Sequence, residues 1–277
     1  MQIIRANHAG FCFGVERAYE LARNARDKKI YMIGELIHNP EVLTELKNKG
    51  IKIISSSTKI SEGTVIVRAH GISNKKMREF KKKNLKIIDA SCPFVKRIHT
   101  EVARFVKKKI PIVIVGRRNH PEMRAVIEDF PEILVVTNSS DPRLKKIQDS
   151  KVSVLAQTTE SAEKFIAVVQ KLKTLKTQVF AIATICNATK ERQSAAIALA
   201  QKADLMLVIG GRKSNNTRQL WQLTKKITPS FWIENENEIC SKWFAKIKKV
   251  GITAGASTPE KMIRRVVAKI KNLKPQL

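Results

Sequence analysis

Three cysteines follow strand-like runs and precede helical patterns in this chain of 277 residues. Cys12 lies between two glycines, Gly10 and Gly14, Cys92 is followed by a proline, and Cys186 is followed by an asparagine. Backbone N–H groups at the start of a helix favour a thiolate over a thiol, and the thiolate is the form that binds metal. The sequence therefore places one candidate metal ligand at the same topological position in each of three segments.

Two kinds of metal centre fit such a set of thiolates. Zinc with three thiolates and an open position is one, although zinc sites usually include histidine and closely spaced ligand pairs. An iron–sulfur cluster held by three protein thiolates is the other, since it leaves one iron open to substrate and its ligands come from distant segments. Cys240 lacks the strand-to-helix setting, and we interpret it as an ordinary half-buried thiol rather than a fourth ligand.

Histidines mark the ends of three predicted strands. His38 and His70 follow strand-like runs in the first third of the chain, and His120 follows a third such run. Ligands of open α/β sheets gather at the carboxyl ends of strands, so these positions favour a binding site. For His38 or His70 alone, a histidine bonded locally to its turn is an equally good explanation. Pro121 stiffens the turn between His120 and Glu122, a pair that could bind an anion and relay a proton.

Small polar side chains follow three other predicted strands. Residues 157–160 form a polar strand end and helix start, where at least one of the two threonines is expected to cap the helix. Residues 210–218 combine two glycines, a basic pair and hydroxyl or amide side chains before a helix predicted at Leu220, a setting that suits phosphate. Residues 254–260 form a second small-residue helix start. Tight-turn packing is the more usual explanation of either loop alone.

The elements that must position these residues alternate between short β-like runs and amphipathic helices. Such alternation predicts mainly parallel sheets with helices packed outside them. Because the pattern restarts at each of the three cysteines, we predict an α/β fold of three similar segments. The expected domains are residues 1–92, 93–185 and 186–277, which could surround a central site.

The chain is strongly basic, with 53 Lys and Arg against 24 Asp and Glu and a formal net charge of +29. Nucleic-acid binding is the first hypothesis for such a balance. The basic residues are spread through every third of the chain, without aromatic-interleaved RNA-binding strands or zinc-finger spacing, so most are interpreted as solvated helix faces. A basic surface would still steer acidic partners or anionic substrates.

Three features favour a cytoplasmic protein. The first residues lack the long apolar core and the cleavage site of a signal peptide. No apolar run approaches membrane-spanning length. The scattered cysteines argue against a disulfide framework. We therefore expect neither a membrane nor a nucleic acid as partner.

Eight short motifs occur in order along nearly the whole chain. They are Gly-Phe-Cys-Phe-Gly-Val (10–15), Arg-Ala-His-Gly (68–71), Ser-Cys-Pro (91–93), His-Pro-Glu (120–122), Gln-Thr-Thr (157–159), Thr-Ile-Cys-Asn-Ala-Thr (184–189), Ser-Asn-Asn-Thr (214–217) and Thr-Ala-Gly-Ala-Ser (253–257). Together they resemble the motif set of the 4-hydroxy-3-methylbut-2-enyl diphosphate reductase family, the terminal enzymes of the non-mevalonate isoprenoid pathway. The cysteine motifs and His-Pro-Glu are the most specific of the eight.

The resemblance implies a three-domain α/β trefoil, pseudo-threefold around one [4Fe-4S] cluster per chain held by Cys12, Cys92 and Cys186. It implies that the substrate hydroxyl binds the fourth iron and is removed as water with two electrons and two protons. The products would be isopentenyl diphosphate and dimethylallyl diphosphate. Glu122 would deliver protons, with Thr158 beside it.

The resemblance also implies a diphosphate site made of histidines and small polar residues at strand ends. The set comprises His38, His70, His120, Thr158, Ser214, Asn215, Asn216 and Ser257. Asn215 stands where the family usually has a serine, and its amide can still donate to phosphate. Residues 116–119 are more basic than the family pattern. His8 and His99 receive no role.

Two other functions are kept as alternatives. A zinc hydrolase acting on a phosphorylated substrate would use Glu122 as base and would be colourless and stable in air. A basic nucleic-acid-binding protein with structural cysteines would lose affinity steeply as salt rises. For the reductase, the basic surface favours an acidic electron donor such as a ferredoxin or a flavodoxin.

Overall fold

Strands and helices alternate along the computed structural model, which describes residues 1–55, 60–83, 85–147 and 150–273. The strands in these ranges are β1 (Gln2–Arg5), β2 (Ile30–Ile33), β3 (Lys52–Ile54), β4 (Thr64–Val67), β5 (Lys86–Asp89), β6 (Ile112–Val115), β7 (Leu134–Val136), β8 (Lys151–Ala156), β9 (Gln178–Ala181), β10 (Leu205–Ile209), β11 (Ser230–Ile233) and β12 (Lys249–Ala254). The α-helices are α1 (Phe13–Arg23), α2 (Pro40–Asn48), α3 (Asn74–Lys82), α4 (Pro93–Lys107), α5 (Pro121–Asp129), α6 (Ala162–Thr174), α7 (Asn187–Ala200), α8 (Asn215–Lys225) and α9 (Glu260–Lys271). Short 3-10 helices lie at Pro142–Ile147, Glu236–Glu238 and Ser241–Phe244.

The described strands form three sheets of four, and every pairing is parallel. The strand orders are β1-β12-β10-β11, β3-β2-β4-β5 and β7-β6-β8-β9. Central strands such as β6 and β10 are buried along their whole length, because helices cover both faces of a parallel sheet. The predicted α/β class with mainly parallel sheets is confirmed.

Helix α4 shows why these segments become amphipathic helices. Proline is tolerated in the first turn, where its missing N–H has no partner inside the helix, and Pro93 opens α4. Apolar residues then recur three or four positions apart, so that one face of the helix is apolar. The buried residues of that face are Val95, Ile98, Val102 and Phe105. This is the stripe that the sequence pattern predicts.

By its internal contacts the chain divides into two units. The first contains Met1–Glu16, Ile37–Thr44 and Asn187–Leu277. Its sheet includes β1, which runs parallel to β12 with Gln2 opposite Lys249. The buried core of this unit includes Leu207, Ile209, Ile252, Val266 and Ile270. The first strand of the chain therefore completes a sheet whose other strands come from the last third.

The second unit contains Arg17–Leu36 and Glu45–Cys186, and it holds the other two sheets. Helices of the two sheets meet where the carboxylate of Asp129, at the end of α5, accepts from the first backbone amides of α3. The Asn74 amide lies 2.6 Å from Oδ2 and the Lys75 amide 3.1 Å from Oδ1. An acidic side chain satisfies amides that a helix start leaves unpaired. This contact ties the two halves of the unit together.

The carboxyl ends of strands in this unit carry the candidate residues. His70 follows β4, Cys92 follows β5, His120 follows β6 and Thr158 follows β8. Loops at this end of a parallel sheet converge, which brings residues that are distant in sequence close to one another. Because β4 and β5 belong to one sheet and β6 and β8 to another, the candidate residues lie at the carboxyl ends of both sheets of this unit.

Candidate active site

Glu122 is a buried carboxyl group held by one threonine. Glu122 lies in the first turn of α5 and is only 1% exposed. The Thr158 backbone N–H donates to Oε1 and the Thr158 hydroxyl donates to Oε2, each at 2.8 Å. His120 is the N-cap of α5, where its Nδ1 accepts from the Glu122 amide at 3.3 Å. Local helix capping therefore aims the carboxyl group at the end of β8.

Burial raises the pKa of Glu122 to about 7, while the two hydrogen bonds from Thr158 act in the opposite direction. Removing a carboxylate from water disfavours its charged form, whereas N–H and O–H donors stabilise that form. A group with a pKa near neutral pH can both release and take up a proton. Glu122 is therefore suited to general acid–base chemistry.

Two imidazole rings lie in the same unit as Glu122. The centroids of His70 and His120 are 5.3 Å apart, with the rings at 75°. His120 is buried and His70 is half-buried. Because Nδ1 of His120 accepts a hydrogen bond, the neutral ring carries its proton on Nε2. Such rings can donate to an anionic ligand.

Two of the candidate metal ligands also lie in this unit. Cys92 is the N-cap residue of α4, and its amide donates to the Ala69 carbonyl at 3.0 Å. The Cys186 amide donates to the Thr158 carbonyl at 3.0 Å, directly before α7. Both thiols are half-buried. Each sulfur is thus placed at a helix start, where amide dipoles favour the thiolate.

The first unit places Cys12 in the same kind of junction. The half-buried Cys12 immediately precedes α1, and its amide donates to the Ala256 carbonyl at 3.4 Å. The guanidinium of Arg192, which is 2% exposed, donates through Nη2 to the Gly10 carbonyl at 2.9 Å. A buried charged donor therefore fixes the loop that carries the cysteine. All four cysteines lie in the described ranges, and they form no disulfide.

Two loops of the first unit hold each other in place around His38. The Ser257 hydroxyl donates to the His38 carbonyl at 3.3 Å, and the Asn39 side chain donates to the Ser257 carbonyl at 2.9 Å. Asn39 is 1% exposed and Ser257 is 7% exposed. The loop before α2 and the loop before α9 therefore form one polar surface.

The helix start at Ser214 contains a buried amide that lacks partners. Ser214 caps α8, accepting from the Thr217 amide at 3.3 Å. Asn216 is 4% exposed, and its Nδ2 and Oδ1 have no hydrogen-bond partner among the described residues. Buried polar side chains are nearly always hydrogen-bonded, so an exception needs an explanation. A phosphate-bearing ligand bound at this helix start would satisfy the amide donor.

Two sequence interpretations are corrected by the structure. The helix that the sequence predicts at Leu220 begins at Asn215, so Asn215, Asn216 and Thr217 form its first turn rather than a loop. The N-cap of α6 is Ser161, and so the capping role expected of a threonine in 157–160 is wrong. Helix α8 therefore begins earlier than its apolar pattern shows, whereas α6 begins after the polar residues 157–160.

The predicted site residues fall into two sets, one in each unit. The first unit holds Cys12, His38, Ser214, Asn215, Asn216 and Ser257, and the second holds Cys92, Cys186, His70, His120, Glu122 and Thr158. Within the second set, the structure brings Glu122 and Thr158 into direct contact and places the two histidine rings together. Within the first, it joins the His38 and Ser257 loops.

Three further residues hold the loops of the site in place, and the sequence does not identify them. Arg17 on α1 donates to the carbonyls of Ser91 and Asp89 at 3.4 and 3.3 Å, next to Cys92. Arg192 and Asn39 support other loops in the same way. A basic residue on a helix or an amide in a turn has no distinctive sequence signal. Only the three-dimensional fold identifies such groups.

Two residues without an assigned role, Cys240 and His99, are both half-buried. Cys240 is half-buried at the start of the 3-10 helix Ser241–Phe244, outside any strand-to-helix junction. His99 is half-buried on α4, and burial lowers its pKa.

No helix in the described ranges has the length and the apolar character needed to cross a membrane.

Comparisons with known proteins agree with one another. The LytB protein family matches residues 3–271. The 4-hydroxy-3-methylbut-2-enyl diphosphate reductase of Aquifex aeolicus is 39% identical over 281 residues, covering 99% of this chain and 97% of the relative. The protein of the same name from Campylobacter hominis is 41% identical over 277 residues, covering 99% of this chain and 100% of the relative.

Two solved structures are also similar. The (E)-4-hydroxy-3-methyl-but-2-enyl diphosphate reductase described as the terminal enzyme of the non-mevalonate pathway has 38% identity and a TM-score of 0.69, covering 98% of this chain and 99% of that one. The E-1-hydroxy-2-methyl-but-2-enyl-4-diphosphate reductase from Plasmodium falciparum has 29% identity and a TM-score of 0.91, covering 99% and 91%. The fold described above is shared with both.

Proposed function

The chain belongs to the LytB protein family, and from this premise we propose that it reduces (E)-4-hydroxy-3-methylbut-2-enyl diphosphate to isopentenyl diphosphate and dimethylallyl diphosphate. The family and the assignment as an oxidoreductase, both predicted from the motifs, are confirmed by the names of the relatives. The proposed reaction takes up two electrons and two protons and releases the substrate hydroxyl as water.

We propose that Cys12, Cys92 and Cys186 hold a [4Fe-4S] cluster. Each of these thiols is half-buried and directly precedes a helix, which is the strand-to-helix position that the sequence predicts for all three ligands. When bound, the cluster supplies electrons and a Lewis-acidic iron for the substrate hydroxyl. The division into domains 1–92, 93–185 and 186–277, and their pseudo-threefold arrangement around the cluster, stay proposals drawn from the family resemblance.

We propose that the diphosphate group binds to histidines and small polar residues at strand ends. The residues are His38, His70, His120, Thr158, Ser214, Asn215, Asn216 and Ser257. The unsatisfied amide of Asn216 supports this role, because a buried donor without a partner favours an anionic acceptor. Asn215 also offers an amide donor where relatives usually have a hydroxyl.

The Glu122–Thr158 pair is the single observation that carries the proposal. Loss of the substrate hydroxyl as water needs a proton donor, and a carboxyl group with a pKa of about 7 is about half protonated at neutral pH. Glu122 gives up this proton, and the Thr158 hydroxyl at 2.8 Å stabilises the carboxylate that remains. Burial excludes water from the pair, so the proton is transferred to substrate rather than lost to solvent.

We propose an acidic electron donor such as a ferredoxin or a flavodoxin, and a cytoplasmic location. The net charge of +29 supports a negatively charged partner, because opposite charges speed the encounter of two proteins. The zinc hydrolase and the nucleic-acid-binding protein have no support in the relatives.

The proposal is tested with protein purified without oxygen. Iron, acid-labile sulfide and the visible spectrum are measured before and after addition of the hydroxylated diphosphate, and turnover is then measured with a chemical reductant. We expect a brown protein whose spectrum responds to substrate and which forms both products. A colourless protein that binds zinc after attempted cluster reconstitution would instead indicate the hydrolase.

A further inference from the structure

A basic cavity lies within the second unit, between elements of its two sheets. Its volume is about 520 Å³, in the range of small-molecule sites. Its lining residues are Ile33, Gly34, Ser55, Arg68, Ile72, Ser73, Lys76, Arg118, Asn119, Arg124, Ala125, Ile127 and Glu128. None of these is a candidate cluster ligand or diphosphate contact, so the cavity is a separate feature.

The charge of the lining is strongly positive. Arg68, Lys76, Arg118 and Arg124 face one carboxylate, Glu128, and Glu128 already pairs with Lys76 at 2.8 Å. Within the described ranges, the side chains of Arg118 and Arg124 make no ion pair or hydrogen bond. Arg118 and Arg124 are exposed to solvent, and Arg68 is half-buried near the carboxylates of Glu35 and Glu128. Positive charge still exceeds negative charge around the cavity, and this excess is available to an anion.

Arg68 is held rigidly at the wall of this cavity. Its Nε donates to the Gly71 carbonyl at 3.2 Å, and among the described residues Nη1 and Nη2 have no hydrogen-bond acceptor. A Cβ added to Gly34 would lie 2.6 Å from Nη1, so the guanidinium packs directly on this glycine. Burial, followed by the positive charge of Arg124, lowers the pKa of Arg68. A preorganised guanidinium beside a like charge is a favourable place for an anion.

The rest of the lining restricts the kind of anion. Ile33, Ile72 and Ile127 supply apolar surface beside the arginines. Phosphate groups match the fork of a guanidinium, and apolar walls bind a short carbon chain. We propose that this cavity is a binding site for a phosphorylated small molecule with a short apolar portion, in addition to the site of the proposed reaction.

The cavity shares chain segments with the proposed active site. Arg68 precedes His70 by two residues on the loop after β4, and Arg124 follows Glu122 by two residues on α5. A ligand that draws these arginines together acts on the segments that carry His70 and Glu122. The proposed binding site and the proposed proton donor therefore share two segments of the chain.

The test uses holoenzyme and inorganic diphosphate as probe. Titration calorimetry is carried out without oxygen and without reductant, on enzyme already saturated with the hydroxylated substrate. We expect one further diphosphate to bind per chain. The double variant Arg118→Gln/Arg124→Gln should weaken this binding by at least roughly tenfold, since it removes two charge-assisted contacts. Unchanged melting temperature and circular dichroism establish that the variant is folded.

Arg117→Gln is the matched control, because Arg117 is an exposed neighbour that does not line the cavity. It should retain wild-type binding of the probe. Absence of binding to substrate-saturated wild type overturns the proposal, and so does an equal loss in Arg117→Gln, which would reveal only a diffuse effect of net charge. If the substrate itself does not bind, the proposed reaction fails while the diphosphate titration of the free enzyme still tests the cavity.

The apolar wall is tested by comparing butyl phosphate with inorganic phosphate on the same enzyme. Butyl phosphate should bind more tightly, because its chain buries apolar surface that phosphate lacks. The variant Ile72→Asn should remove that advantage while leaving the affinity for inorganic phosphate unchanged. Equal affinities of the two probes for wild type would show that the apolar wall takes no part.

Discussion

Thr158 binds both oxygens of Glu122, through its backbone N–H to Oε1 and through its hydroxyl to Oε2, each at 2.8 Å. Thr158 follows β8, whereas Glu122 lies in the first turn of α5, the helix that follows β6 in the same sheet. The carbonyl of Thr158 also accepts from the amide of Cys186. One threonine therefore positions the proposed proton donor and orders the loop that carries a proposed cluster ligand.

Replacement of Glu122 by glutamine should abolish most turnover without loss of substrate binding. The glutamine oxygen can accept from the Thr158 backbone N–H and its NH2 group can donate to the Thr158 hydroxyl, so the shape is kept. The amide cannot deliver a proton, so kcat should fall by roughly 10²- to 10⁴-fold. Steady-state kinetics and a substrate titration measure the two quantities. Glu132→Gln, at an exposed position, is the control and should behave as wild type. Full activity of Glu122→Gln would remove Glu122 from the proton path.

Replacement of Thr158 by valine should shift the pH dependence of turnover. The Thr158 hydroxyl bond lowers the pKa of Glu122, so its removal should raise that pKa above about 7. A general acid loses activity as pH rises through its pKa, and the alkaline limb of kcat should therefore move to higher pH. Thr159→Val is the control, since the Thr159 hydroxyl accepts from Gln157 instead. Coincident limbs in wild type and Thr158→Val would contradict the assignment.

Glu122 should also make the stability of the protein depend on pH. Its pKa rises from an ordinary value of 4.5 to about 7 on folding, so the unfolded chain loses the proton first and stability falls as pH rises between these values. The loss amounts to about 3 kcal/mol at about 1.4 kcal/mol per unit of pKa. The melting temperature of Glu122→Gln relative to wild type should increase from pH 5 to pH 8. A constant difference across this range would show that Glu122 is not protonated in the folded protein.

Loss of a single proposed ligand should separate the roles of the cysteines. Cys12→Ser should not retain the cluster, so iron and sulfide should fall to near zero in protein purified without oxygen. Cys240→Ser is the matched control, because Cys240 is half-buried but lies outside the strand-to-helix junctions, and it should retain both. Bleaching of Cys240→Ser would show that the assignment of three ligands is wrong.

Phe13 should contribute to electron transfer from a protein donor. It follows Cys12 directly and is 66% exposed, and aromatic side chains often dominate the energy of an interface. Phe13→Ser should slow reduction by an acidic ferredoxin or flavodoxin while leaving reduction by dithionite unchanged. Ile166→Ser, at another exposed apolar residue, should affect neither. Donor rates that do not respond to Phe13→Ser or to ionic strength would count against a docking role.

The local order of the fold could be predicted from the sequence, because apolar runs and helical stripes are local signals. The strand β10 and the buried face of α4 follow directly from such runs. The apolar pattern does not indicate the strand β11, since Ser230–Ile233 is short and only partly buried. The sequence pattern also does not show that α8 begins at Asn215, because the polar residues of its first turn resemble a loop.

The candidate site could be predicted only as far as its motifs reach. The motif at 120–122 identifies Glu122, and the family resemblance implies Thr158 beside it, but the burial that raises the pKa of Glu122 shows only in the folded structure. The cavity lined by Arg68, Arg118 and Arg124 shows only as a basic sequence at 116–119. Contacts between distant segments have no local signal, and so they need the folded structure.

The position of β1 beside β12 has a consequence for synthesis on the ribosome. Residues 2–5 are made well before residues 249–252, which are their partners in the sheet. The sheets formed by residues 30–89 and 112–181 can assemble first, since domains of a nascent chain fold as they emerge. Until β12 is made, the strand at Gln2–Arg5 lacks the neighbour that it has in the folded sheet, and its backbone groups stay open to other pairings.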